Sequence, residues 1–448
     1  MVSARLSRRS ALALPLLAAL GTVAAERPAG ARPAPADPVS ALTRAARPLR
    51  TTDPTGDLRD LRPLGAMVGD AKVVGLGEAT HGSHEFFTNK HRVFRYLVEE
   101  KGFTTFALEA NWSAGVRLDD YVLHGKGDAR QIMREEFQNS YRMWNTREYL
   151  DLIEWMRAYN TSHAKKVRFM GDDAAYAGPA LFDKVTDYVR AHHPALLPRF
   201  TELYRMQRPA PGTSVDSYMN DYLKRPMGER HTMADSAREA LGLLSRQRPA
   251  GSRDDFAWAV QHARAVAQVA GMYAFDLNDP EQVAGCMRYR DETMAANVAW
   301  WQERTGDRIL LSAHNAHVSY VTDDPKNYPK VQGAFLRDRL GPRYVNVRLT
   351  FDAGSLNAMQ DGQPTRVVTV PPAAPGSNEY TLDKVPHRNY VLDMRTAPAA
   401  ARAWLDVARP TRNIGTDYPT PEYQTALGRA YDILIHLHRI RAADLLAP

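Results

Sequence analysis

Residues 72–111 read KVVGLGEATHGSHEFFTNKHRVFRYLVEEKGFTTFALEAN, and they decide the fold. Val73-Val74-Gly75-Leu76 is a short continuous apolar run, the pattern of a strand buried on both faces. Phe86, Lys90, Val93, Phe94, Leu97 and Val98 then recur at helical spacing, and Gly102 marks the stop. Phe103 to Leu108 is the next apolar run and ends at Glu109. Strand, helix and strand in this order make a βαβ unit, so the two strands are expected to be parallel, with Glu78 and Glu109 at one edge.

Outward from this unit the period repeats. Asn145 to Glu148 resembles a capping box opening a helix through about Asn160, and Val167 to Met170 is a strand ending in Gly171-Asp172-Asp173. A helix from Arg288 to about Arg304 leads into Ile309-Leu310-Leu311, the strand that delivers SAHNAHV at 312–318. Four strands thus end in acids or histidines. Tyr344 to Phe351 and Tyr390 to Met394 are further expected strands. Between about 180 and 285 helical signals dominate, and this stretch reads as an insertion shaping a cleft or lid near the site. The expected fold is α/β: a central, mostly parallel sheet flanked by helices, with that helical insertion beside the active-site cleft.

Composition bounds the function. The chain has 448 residues, 44% hydrophobic and 24% charged, with a mean hydropathy of −0.45, the composition of a soluble globular protein long enough for one large domain with an insertion or two ordinary ones. No basic run alternates with aromatics, so nucleic acid is not an expected partner. Residues 1–25 read as an export signal: Arg5, Arg8 and Arg9 precede an apolar stretch, and Val23-Ala24-Ala25 offers a cleavage site. Ser7-Arg8-Arg9-Ser10-Ala11-Leu12 resembles a twin-arginine signal. Removing these three arginines takes the formal net charge from +7 to +4. The expectation is an exported monomer, periplasmic or extracellular, with no membrane contact after cleavage. Residues 26–56 read as a Pro/Ala-rich linker, and 57–448 as the catalytic domain. Cys286, the single cysteine, reads as a buried structural thiol.

The chemistry-bearing residues lie at the strand ends. There is no G-x-S-x-G, no H-E-x-x-H, no P-loop and no G-x-G-x-x-G, which argues against a serine nucleophile and against dinucleotide binding. What remains is Glu78, His81, Glu109, His314 and His317, with Lys90 and Glu85 on the intervening helix. A histidine beside a carboxylate suits general-base catalysis, because imidazole titrates near neutrality and the acid fixes its tautomer. Lys90 is a candidate to offset charge on a developing oxyanion. Trp112, Glu85 and Arg290 are the candidates for substrate contact, although Arg290 and Asp291 also read as a structural ion pair with each other. Asp172 and Asp173 divide between site edge and helix cap. His91, His124 and His192–His193 read as surface.

Five motifs in order, GLGEATHGSHEFF, GFTTFALEANW, RDETMAANVAWW, SAHNAHVSY and GAFLRDRLGPRYVNVRLTF, resemble the erythromycin esterase family. The resemblance extends from about residue 57 nearly to the C-terminus. It implies His81 as base, assisted by Glu78 in the same turn, Glu109 as second carboxylate, and His314 and His317 as the later histidines. The best-known esterases of the family carry arginine where this chain has Lys90, which keeps the charge but loses the bidentate fork. The family's known hydrolases open a macrolide lactone by water attack without a required metal. The expected function is therefore hydrolysis of an ester or macrolactone, with antibiotic resistance as the most familiar role and no cofactor. Three other readings stay open: a dehydratase or cyclase using the same base and acid, metal-assisted hydrolysis with Zn²⁺ or Mn²⁺ on the glutamates and histidines, and a non-catalytic binding module.

Overall fold

A computed structural model describes residues 37–210, 212–360 and 363–447. The strands are β1 (Arg47–Pro48), β2 (Val73–Leu76), β3 (Thr105–Asn111), β4 (Arg168–Asp173), β5 (Ile309–Ser312), β6 (Tyr344–Gln360), β7 (Gln363–Val370), β8 (Asn389–Asp393), β9 (Arg409–Thr411), β10 (Tyr423–Thr425) and β11 (Ile433–Ile440). Nine form one sheet in the order β1-β8-β11-β6-β2-β5-β3-β4, with β7 paired to β6, while β9 and β10 form a separate ribbon. From β11 to β4 every neighbour is parallel; β8, β1 and β7 join antiparallel. The architecture is the α/β class read from the sequence, mostly parallel and flanked by helices.

The strands are uniformly apolar because both faces are covered. On β5, Ile309 and Leu311 join one buried cluster and Leu310 the other. Helices His84–Lys101 and Arg147–Ser162 pack on the second face, and the helices between Pro179 and Tyr273 belong to the first. Between β4 and β5 the described residues form helices and no strand. The helix after β2 starts where Ser83 accepts the Phe86 N–H, and it ends at Gly102 in the left-handed region (φ 69°).

The path of the chain makes a crevice. It runs from β2 outward to β3 and β4, returns to insert β5 between β2 and β3, and then continues on the far side through β6. Where strand order reverses, the connections leave the sheet in opposite directions and open a cleft at the carboxyl ends.

Several sequence readings change. Residues 37–56, read as part of the linker, belong to the folded body: Asp37 caps helix Pro38–Ala45, and Arg47–Pro48 pairs with β8. Polar, proline-containing edge segments of this kind carry little periodicity to read. The helix expected from Asn145 is capped by Thr146 instead, one residue later. His91, expected on the surface, is buried against Trp155. His192 and His193 are half-buried rather than free. The export signal and the first part of the linker lie outside the described residues, and among those described no helix is long and apolar enough to cross a membrane.

Candidate active site

Four adjacent strand ends, β2, β5, β3 and β4, bring Glu78, His314, Glu109 and Asp173 into one cleft. Glu78 is fully buried just beyond β2, and Nδ1 of His81 donates to its Oε1 at 2.8 Å. This bond fixes the tautomer, so Nε2 of His81 carries the free lone pair. No described residue bonds that nitrogen, and 12% of the side chain remains exposed to the cleft. The turn itself is pinned by later parts of the chain. The His81 N–H donates to Gly415, and the Gly82 carbonyl accepts from both Asn357 and Ala443.

Lys90 is placed differently from the sequence expectation. Its ammonium is 2.5 Å from Oε2 of Glu78 and also bonds Ser312 Oγ (2.9 Å) and the Ala313 carbonyl. The side chain is wholly inaccessible, so Lys90 neutralises and orients Glu78 from beneath, not an oxyanion in the cleft. Burial pulls its pKa down, opposed by the Glu78 charge. Tyr149 completes this layer, with its hydroxyl 3.1 Å from Ser312 Oγ.

His314 faces His81, with ring centroids 5.0 Å apart. Its Nδ1 accepts the Ala316 N–H at 3.3 Å, which leaves the ring proton on Nε2. That Nε2 is buried with no partner among the described residues. Burial first, and then the neighbouring His81, push its pKa well below the ordinary histidine value, so the ring is neutral near pH 7. A neutral imidazole with an unspent N–H has one hydrogen bond left to donate.

Glu109 is held on both oxygens: Oε2 accepts the His314 backbone N–H at 2.8 Å, and Oε1 faces Arg290 Nη2 at 3.0 Å and His317 Nε2 at 3.3 Å. Burial works against its charge, but His317, His81 and Arg290 outweigh that and lower its pKa. Nδ1 of His317 donates to Asp291 Oδ1 at 2.7 Å. Burial alone would lower the His317 pKa, yet Asp291 and Glu109 raise it to about 9. The imidazolium and Arg290 thus form a cationic wall behind Glu109.

Arg290 and Asp291 do not pair with each other as the sequence suggested. Arg290 forks onto Asp173, with Nη2 to Oδ2 at 2.6 Å, and Asp291 turns to His317. Successive residues of a helix point about 100° apart, so neighbours in sequence serve different partners. Asp173 also accepts from the Tyr141 hydroxyl at 2.7 Å, which places it at the site edge. Asp172 bonds Gln332 Nε2 and lies alongside; burial and then the Asp173 charge raise its pKa.

Two residues stand apart from this cluster. Glu85 points away, its Oε2 accepting the Arg441 N–H at 2.6 Å, because the first turn of its helix faces the C-terminal segment. Trp112 bonds His262 Nδ1 at 3.1 Å and lines a different cavity of about 430 Å³ with Arg168, Trp258 and Trp301. It is the first residue of the helix Trp112–His124 that follows β3. Sequence reading missed Trp144, whose ring sits edge-on to His81 at 4.8 Å and whose Nε1 donates to the Glu109 carbonyl. It also missed Tyr141, Ser312 and the role of Asp291. Only Asp291, beside Arg290, carried a legible signal; the others sit in irregular or apolar stretches.

The five acid–base residues do not form a compact metal cage. Among the described residues, three donor atoms converge within 4.8 Å only in two other places, at His84, Glu148 and Asp444 and at Asp352, Asp383 and His438. In the cleft the carboxylates are already committed to Lys90, Arg290 and the imidazoles.

The class of protein is an open α/β sheet that gathers paired histidines and carboxylates at its switch point, the place where such sheets bind ligands. The family model for erythromycin esterase matches residues 98–440, and the chain belongs to the erythromycin esterase family. It is 23% identical over 328 residues to erythromycin esterase type II of Escherichia coli, covering 70% of this chain and 76% of that one. A putative hydrolase of Bacillus subtilis is 28% identical over 116 residues, 26% of this chain and 24% of its own. Among solved structures, a Bacillus cereus protein superposes with a TM-score of 0.81 at 31% identity, covering 92% of this chain and 98% of that one. An erythromycin esterase mutant in its open conformation gives 0.73 at 19% identity over 90% of this chain and all of that one, a likeness of fold.

Proposed function

We propose that the protein hydrolyses a carboxylic ester or lactone by general-base attack of water, a macrolactone being one candidate substrate. The observation that carries the reading is the pairing of His81 and His314. One imidazole is oriented by Glu78 with its Nε2 lone pair open to the cleft, and the other is neutral with its Nε2–H unspent. His81 takes a proton from water, and the hydroxide attacks the carbonyl carbon. His314 donates to the oxygen that gains charge, with Arg290 and His317 supplying the positive field behind Glu109. Collapse of the tetrahedral species returns the proton from His81 to the leaving alkoxide. The sequence of an export signal supports action outside the cytoplasm, and no step calls for a metal or organic cofactor.

The experiment is mass spectrometry of esters, lactones and macrolides incubated with wild type and His81→Ala. Gain of one water by a substrate with wild type, and loss of that turnover by about 10²–10⁴-fold in the variant, is the expected result. Loss of water, or a new isomer at unchanged mass, overturns hydrolysis in favour of a lyase or cyclase on the same residues.

A further inference from the structure

A second group of donors lies where the middle of β6 runs beside β11. β11 reads ILIHLHRI, so its period of two puts His436 and His438 on one face. Asp352 stands beside them on β6, between residues paired with Leu437 and Arg439. Asp383 follows the short helix Asn378–Leu382. Nδ1 of His438 is 2.8 Å from Oδ1 of Asp383, and Nε2 of His436 is 3.0 Å from the same oxygen. One donor atom from each of Asp352, Asp383 and His438 lies within 4.8 Å of the other two.

The charge balance is what singles out this cluster. Asp352 is only 7% exposed, and its side chain accepts one hydrogen bond, from the Ala373 N–H to Oδ1. Among the described residues neither Asp352 nor Asp383 has a lysine or arginine within ion-pair distance; Asp383 has only the two imidazoles. A nearly buried carboxylate beside a second one is costly unless something positive joins them, and the adjacent guanidinium of Arg412 bonds the Asp352 and Pro371 carbonyls instead of the carboxylates.

We propose that Asp352, Asp383 and His438 form a divalent transition-metal site that takes Zn²⁺ or Mn²⁺, with His436 positioning Asp383. One imidazole nitrogen and two carboxylate oxygens suit these borderline ions and leave room for water. A dication offsets the two negative charges. His436 acts from outside the ligand set, its Nε2–H donating to Asp383 as such partners commonly do. Its Nδ1 is buried without a partner, so it stays a bare acceptor; coordination through Nε2 would strand a proton there. The Ala373 N–H fixes Oδ1 of Asp352 and leaves Oδ2 for the ion. Side-chain exposures of 31% for His438 and 22% for Asp383 provide a way in. The ion would join β6, β11 and the turn at Asp383, and it stands independently of the hydrolytic reading.

The test uses the full chain, stripped with a chelator and dialysed against ZnCl₂ or MnCl₂, with bound metal and thermal midpoint measured together. Wild type is expected to hold one ion per chain and to melt higher with metal. His438→Gln, at a half-exposed position that tolerates the change, should lose both effects, as should Asp352→Asn. His81→Ala and His84→Ala should keep both, which separates this site from the cleft and from the His84–Glu148–Asp444 group. No bound ion in wild type with either metal overturns the proposal, as does metal retention in both His438→Gln and Asp352→Asn.

Discussion

Glu78 has two oxygens and two partners, and the division of labour between them controls the site. Oε1 orients His81 and Oε2 meets the buried ammonium of Lys90. Glu78→Gln should therefore do two separable things. It removes the fixed tautomer of His81, with a loss of turnover on the order of 10²–10⁴-fold. It also leaves Lys90 charged and unpaired in the interior, at about 3–5 kcal/mol of stability. Adding Lys90→Met to Glu78→Gln should restore much of the melting temperature and none of the activity, as read by thermal denaturation and ester turnover on the same preparations. At this scale the sequence was informative about which residues gather in the cleft and poor about what they touch. His81, Glu78, Glu109, His314 and His317 were legible because each follows an apolar run and no other chemistry fits them. Lys90 was legible as a charge, but its direction depends on which face of the helix meets the sheet. Arg290 and Asp291 looked like each other's partner because adjacency in sequence hides the rotation between successive helical side chains.

At the scale of elements, one close approach and one break in strand pairing set the geometry of the cleft. A Cβ at Gly82 would overlap the Asn357 backbone, so the turn carrying His81 lies directly on β6. Gly82→Ala should lift that turn and cost activity while leaving the overall fold: turnover down by at least about 10²-fold, since a misplacement near 1 Å has that effect, with an unchanged far-ultraviolet circular dichroism spectrum. Between β3 and β4 the pairing skips, from Leu108 opposite Gly171 to Asn111 opposite Asp173, and this irregularity turns Glu109 toward the histidines. No sequence signal announces that bulge. The parallel strands β2 to β6 were readable from apolar runs bounded by helices. β11 was missed because ILIHLHRI mixes three polar residues into a central strand, and β1 because two residues, one of them a proline, carry no period.

At the scale of the whole molecule, buried imidazoles give stability a pH window with two different edges. His91 and His262 are held neutral by burial, with pKa values lowered to about 3 from the ordinary 6.5. Such groups contribute stability above 6.5 that is lost as pH falls toward 3, because the unfolded chain takes up the protons first. His317 behaves oppositely: with its pKa raised to about 9, its contribution is complete below 6.5 and disappears as pH rises through 9. A shift of that size corresponds to on the order of 3 kcal/mol. Thermal midpoints measured across this range should fall on both sides, and His317→Gln should flatten the alkaline edge alone. The same long-range wiring bears on how the cleft is held together. The turn that carries His81 is clasped by the backbone of Gly415, Arg441 and Ala443, so the shape of this early motif depends on segments far downstream of it. Clipping the chain ahead of Gly415 would keep every acid and base of the cleft in the sequence while removing the backbone that holds the His81 turn.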